Sequence, residues 1–207
     1  MFKTFEVAFQ PDPGTCNTKP VASSDMTLDD ELRTLFSQYG GTSFNHGLYR
    51  IFSVDDVSYW NGMVLSAFPS FSGRVTCFAI DWLGRVFATD TARLEGRHPG
   101  IVMFEPGTAE VLEIPCNVAN FHDNELIQFG EEALAASFYQ QWIDGGGIAP
   151  SVRQCIGYKK PLYLGGADSV DNLEVSDLDV YWTLSSQLIQ KTRGLSPGTV
   201  IGSITLA

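Results

Sequence analysis

Between Arg74 and Ile114 the chain twice repeats one pattern, a short apolar run, a tight turn and a second short apolar run. Arg74–Ile80 and Arg85–Thr89 flank Asp81-Trp82-Leu83-Gly84, while Ile101–Phe104 and Val111–Ile114 flank Glu105-Pro106-Gly107-Thr108. Runs of this length around turns this short read as hairpins. The four together predict one antiparallel meander, which any helices must flank.

Helical periodicity lies on both sides of that meander. Leu28, Leu32, Leu35, Phe36 and Tyr39 recur at helical spacing before Gly40-Gly41, and Thr27-Leu-Asp-Asp30 has the outline of a capping box. Ser53, Asp55 and Asp56 mark the start of a second helix, running through Trp60 and Met63 to about Ala67, because carboxylates suit the positive end of a helix dipole. Two more helices are expected over Asn120–Phe129 and Glu131–Ile143, and a last one through Val180, Leu184, Leu188 and Ile189 to Gly194–Gly198. Residues 3–9 alternate loosely and predict an edge strand, Gln10–Ser24 a proline-bearing loop, and Phe44–Phe52, Tyr158–Leu164 and Val200–Leu206 further strands. A sheet meander between helices is an α+β arrangement.

Charge narrows the function. The 207 residues carry 24 acids against 13 bases, a net charge of −11, and a field of that sign repels nucleic-acid phosphate and attracts a basic protein. No Lys or Arg occurs from His98 to Val152, where eight acids fall: Glu105, Glu110, Glu113, Asp123, Glu125, Glu131, Glu132 and Asp144. The cysteines Cys16, Cys77, Cys116 and Cys155 are scattered, without the paired spacing of a zinc knuckle, and read as reduced core thiols. Met1–Phe9 is too short and too charged for a secretory signal, and no stretch approaches membrane-spanning length, so a cytoplasmic protein is expected.

From Cys155 to Trp182 an apolar run, Pro161-Leu-Tyr-Leu164, is broken by Gly165-Gly166. Five carboxylates then follow without a base: Asp168, Asp171, Glu174, Asp177 and Asp179. Val170, Leu173, Val175, Leu178 and Val180 alternate with them, which predicts one packed and one charged face. The stretch GYKKPLYLGGADSVDNLEVSDLDVYW, with LSPGTVIGSITL after it, resembles the C-terminal part of Tdi-type bacterial immunity proteins, which protect against DNase toxins of type VI secretion. Leu28–Met63 resembles the GAD-like part that precedes it there. The resemblance implies a SUKH-like α+β fold, no catalysis, no cofactor and a toxin as partner. The resemblance does not reach the first twenty or so residues, and three parts are expected: an N-terminal strand and loop (1–25), a GAD-like part (26–105) and an immunity part (106–207), with one continuous globular unit as the alternative.

Beside that resemblance, the residues themselves nominate a docking face for a basic surface such as a nuclease groove. Its candidates are Glu125, Glu131, Glu132, Asp168, Asp171, Glu174, Asp177 and Asp179, chosen by charge alone. Two other classes stay open, a SUKH-type binding module with a non-nuclease partner and a hydrolase built on His122 and the acids beside it. Neither has a supporting motif: no G-x-S-x-G elbow, no phosphate loop at Gly145–Gly147 or Gly165-Gly166, and no paired histidines among His46, His98 and His122. Asp123 and Glu125 are expected to favour the start of a helix.

Overall fold

A computed structural model describes residues 1–15, 28–195 and 199. The expected meander is present and longer than its hydrophobic runs indicate. Strands β1 Ser43–Phe44, β2 Tyr49–Ile51, β3 Val75–Asp81, β4 Val86–Glu95, β5 His98–Glu105 and β6 Glu110–Ile114 form one antiparallel sheet in sequence order. In β3 and the first half of β4 nearly every residue is buried, so these strands read as continuous apolar runs rather than alternating ones. Between Cys77 and Ala79 the pairing with β4 slips by one residue at Phe78, a bulge that leaves this ring fully enclosed.

Helices flank the sheet. Helix α1 is Lys3–Ala8, α2 is Asp30–Tyr39 and α3 is Val57–Ala67. Residues 3–9 therefore form a helix, not an edge strand: Phe2, Phe5 and Phe9 recur at three- and four-residue spacing and are all buried, while Val7 stays in water. Helix α2 is capped by Asp29, whose side chain accepts from Glu31 N at 2.9 Å. Thr27, the expected cap, lies outside the described residues, as do Cys16, most of the expected 10–24 loop, Gly198 and the expected strand Val200–Leu206. Phe44–Phe52 is a hairpin rather than one strand, turned through Asn45, His46 and Gly47, all at positive φ. Ser53 accepts from Asp55 N ahead of α3, as its spacing indicates.

The segment after β6 departs most from expectation. It runs as α4 Val118–Asn120, a π turn Phe121–Glu125, α5 Leu126–Gln128, α6 Gly130–Leu134 and α7 Ala136–Asp144. The expected helix over Glu131–Ile143 is broken at Ala135, which takes φ 48. A second, two-stranded sheet pairs β7 Gln154–Tyr158 with β8 Leu173–Asp177, and helix α8 Leu178–Thr192 follows. The strand placed at Tyr158–Leu164 thus starts earlier and ends sooner, and Leu162–Leu164 is a 3-10 turn.

Helices α3 and α8 lie side by side and run in the same direction. Asp179 sits against Tyr59 at one end, while Gln190 Nε2 donates to Ser66 O at 2.7 Å and Arg193 donates to Ala67 O at the other. Trp60 and Trp182 meet edge to face at 6.4 Å between them. Helix α8 also closes on the β3–β4 turn, where Trp182 Nε1 donates to Gly84 O at 2.8 Å. Two glycines make this approach possible: a Cβ on Gly157 would come within 2.4 Å of the Tyr181 ring, and Gly84 holds φ +80 against Cys155 and Tyr181. The principal core draws residues from Phe2 to Ile189, and a smaller one gathers around Trp82, Tyr139 and Ile156.

Candidate functional site

Seven of the eight nominated carboxylates are exposed, and Glu125 is half-buried. They fall into two groups. Glu125, Glu131 and Glu132 belong to the broken helices after β6, whereas Asp168, Asp171, Glu174, Asp177 and Asp179 follow the 168–179 run through β8 into α8. Several also hold the fold. Asp177 caps α8 by accepting from Val180 N at 3.1 Å, and Asp168 accepts from the Tyr158 hydroxyl at 2.7 Å. Glu131 accepts from Ser137 N at 2.8 Å, and the Ser137 hydroxyl together with that N–H holds its carboxyl below the usual range. The expected packed face is only partly realised: Leu173 and Leu178 are buried, but Val175 and Val180 face solvent.

Where α3 and α8 begin, a cleft of about 660 Å³ opens between them, the β1–β2 hairpin and residues 152–153. Asp56, Tyr59, Asp179 and Arg153 line it, with Thr42 and Arg50 contributing to the wall. Arg50 is 4% exposed and ties the halves of the chain together: its guanidinium donates to Ser151 O at 2.8 Å, Gln154 O at 2.6 Å and Asp81 O at 3.0 Å. Its Nε and the Thr42 hydroxyl are buried with no hydrogen-bond partner among the described residues. Charge spacing does not find this cleft, because its walls come from five separate stretches of the chain. The one trace in sequence is an arginine inside the apolar run Tyr49–Phe52.

The histidines take structural positions. His122 is fully buried on the π turn, ringed by Phe2, Phe5, Phe78 and Phe121. Its Nδ1 lies 2.8 Å from Val118 O, which requires a proton there, so Nε2 accepts from the Tyr49 hydroxyl at 3.0 Å. Burial pushes this imidazole down to about 4. Both nitrogens are engaged and no face reaches solvent, so the residue offers no base to a substrate. Asp123 does complement a helix, but not its own: it accepts from Phe2 N at 2.9 Å, Thr4 N at 2.9 Å and Phe5 N at 3.3 Å, capping α1 from across the fold. The His46 carbonyl accepts from Tyr139 Oη. His98 stands between Asp29 at 3.0 Å and Glu31 at 3.7 Å, and the Asp29 hydrogen bond, with both negative charges, raises its pKa. These three side chains have the donor types of a cation site, but each imidazole nitrogen already faces one carboxylate, which is the geometry of an ion-pair bridge. Cys77, Cys116 and Cys155 are free and buried, and desolvation raises all three thiols.

The 119–189 segment thus supplies His122 itself, the Asp123 cap of α1, β7, β8 and most of α8. That same segment, about a third of the chain, matches a family model described as T6SS immunity protein Tdi1, C-terminal. The match supports a type VI secretion immunity protein. Such a family implies a cognate toxin as partner. A crystal structure of Atu4351 from Agrobacterium tumefaciens is similar to the whole fold, with a TM-score of 0.52 and 14% identity over 90% of this chain and 89% of that one. At that identity the likeness speaks for the fold alone. No curated protein matches the chain. Among the described residues no helix is long and apolar enough to cross a membrane.

Proposed function

We propose that the protein is an immunity protein that binds a cognate DNase toxin of type VI secretion in the cytoplasm and silences it by forming a stoichiometric complex. The observation that carries this reading is the family match over 119–189, on a segment whose outer surface is acidic. The DNase nature of the toxin, the GAD-like reading of Leu28–Met63 and the kinship with SUKH domains rest on the sequence resemblance. The physics favours such a partner: a DNA-cleaving protein presents a basic groove to phosphate, and a protein of net charge −11 is drawn to that groove by the same field. Opposite charge speeds encounter, which matters when a toxin must be caught before it cuts. Glu125, Glu131, Glu132, Asp168, Asp171, Glu174, Asp177 and Asp179 are the proposed docking carboxylates. The enclosed His122 supports a role without turnover.

The test is to titrate the purified protein into the effector encoded beside its gene and to follow plasmid cleavage. Cleavage should fall linearly with added protein and stop at a fixed molar ratio. Undiminished cleavage at a tenfold excess would overturn the proposal.

A further inference from the structure

The cleft between the starts of α3 and α8 has features that the distributed carboxylates lack. It is concave, of a volume usual for binding sites, and built jointly by the 119–189 segment and by residues before it. Its rim holds Asp56, Asp179 and Tyr59, an aromatic side chain left 49% exposed although it flanks the core residue Trp60. Tyrosine at a half-exposed, acid-flanked position is the type of residue that anchors protein interfaces. In its wall, Arg50 Nε and the Thr42 hydroxyl are buried without partners in residues only 4% and 3% exposed. A donor left unpaired in a protein wall costs free energy until an acceptor reaches it.

These two observations specify complementary chemistry. Arg50 Nε–H and the Thr42 hydroxyl lack partners, and a polypeptide backbone offers acceptors for both as carbonyl oxygens. The rim offers carboxylates, and a lysine or arginine side chain answers them. Arg50 does not repel such a chain strongly, because three carbonyl oxygens already surround its guanidinium. Arg153 is exposed and free to turn toward water. We infer that the cleft receives a loop of the cognate toxin carrying a lysine or arginine, with Asp56 and Asp179 holding the cation, Tyr59 stacking on it, and backbone carbonyls of the loop meeting Thr42 and Arg50. The inference rests on the immunity reading and deepens it, by naming where the toxin is gripped and by which kind of segment.

Binding of the adjacent gene's effector, made catalytically inactive, is measured by calorimetry against wild type and four variants. Tyr59→Ala and Asp179→Lys should each weaken the complex at least about tenfold. Thr42→Val replaces an unpartnered hydroxyl by a methyl of the same shape, so it should weaken binding severalfold while leaving thermal stability unchanged or raised. Glu110→Lys, on the edge strand β6, applies the same charge change elsewhere and should stay within about twofold. If wild type binds and Tyr59→Ala and Asp179→Lys also bind within about twofold of it, the cleft is not the grip, and the immunity reading stands without it. If wild type itself does not bind, both readings fall. A Glu110→Lys loss as large as that of Asp179→Lys assigns the effect to net charge and overturns the cleft.

Discussion

The buried His122 gives a prediction whose size follows from its surroundings. Its imidazole is neutral because Nδ1–H donates to Val118 O and Nε2 accepts from Tyr49, inside a ring of phenylalanines. In the unfolded chain the group protonates near 6.5, and in the folded protein only near 4. The folded pKa is the lower one, so the unfolded state binds more protons between these values and stability is lost as pH falls through that window. Converted at about 1.4 kcal/mol per unit, the full effect is on the order of 3 kcal/mol, of which about 2 kcal/mol falls between pH 7 and pH 5. Other groups titrate in that range, so the measurement is a difference. Urea unfolding of wild type and of His122→Gln is compared at pH 7, 6 and 5. Gln keeps one donor and one acceptor, does not titrate, and whatever packing it loses is the same at every pH. The stability gap should therefore move by about 2 kcal/mol in favour of the variant on going from pH 7 to pH 5. Parallel profiles would refute the reasoning, as would a wild-type His122 ring resonance that titrates near its ordinary value.

Two further outcomes follow from ties described above. Asp123→Ala removes the acceptor for three N–H groups of the first helix and should cost about 1–2 kcal/mol in urea unfolding, with amide exchange rising first at Phe2, Thr4 and Phe5; unchanged exchange there would show that α1 is held by its phenylalanines alone. His98 has its folded pKa raised by Asp29 and Glu31, so its contribution is present below its ordinary value and disappears as pH rises through the raised one; the stability of wild type over His98→Gln should shrink between pH 6 and pH 8.5, and a gap constant across that range would remove the ion-pair account.

The meander is legible from sequence because its turns are short and local, so pattern and topology cannot disagree over Val75–Ile114. Helix α8 is legible for the same reason, a sustained apolar spacing with Asp177 as its cap. Helix α1 is not, because Phe5, Val7 and Phe9 fit a period of two as well as Phe2, Phe5 and Phe9 fit a helix, and the cap that decides between them is Asp123, more than a hundred residues away. The break at Ala135 is equally silent, since alanine carries no sign of a left-handed backbone. The candidate carboxylates were open to charge counting, and most of them do face water. The cleft was not, because Thr15, Thr42, Arg50, Arg153 and Asp179 become neighbours only after folding.

The long-range cap on the first helix also bears on how the chain may be divided. Trimmed at the borders of its family match, the remaining piece would keep Asp123 and His122 but lose both the aromatic plug that Phe2, Phe5 and Phe9 supply and the six-stranded sheet behind it. Phe121 and His122, packed in the intact chain against Tyr49 and Phe78 of the sheet, would face water, so the piece is a poor stand-in for the intact molecule in any test of toxin capture.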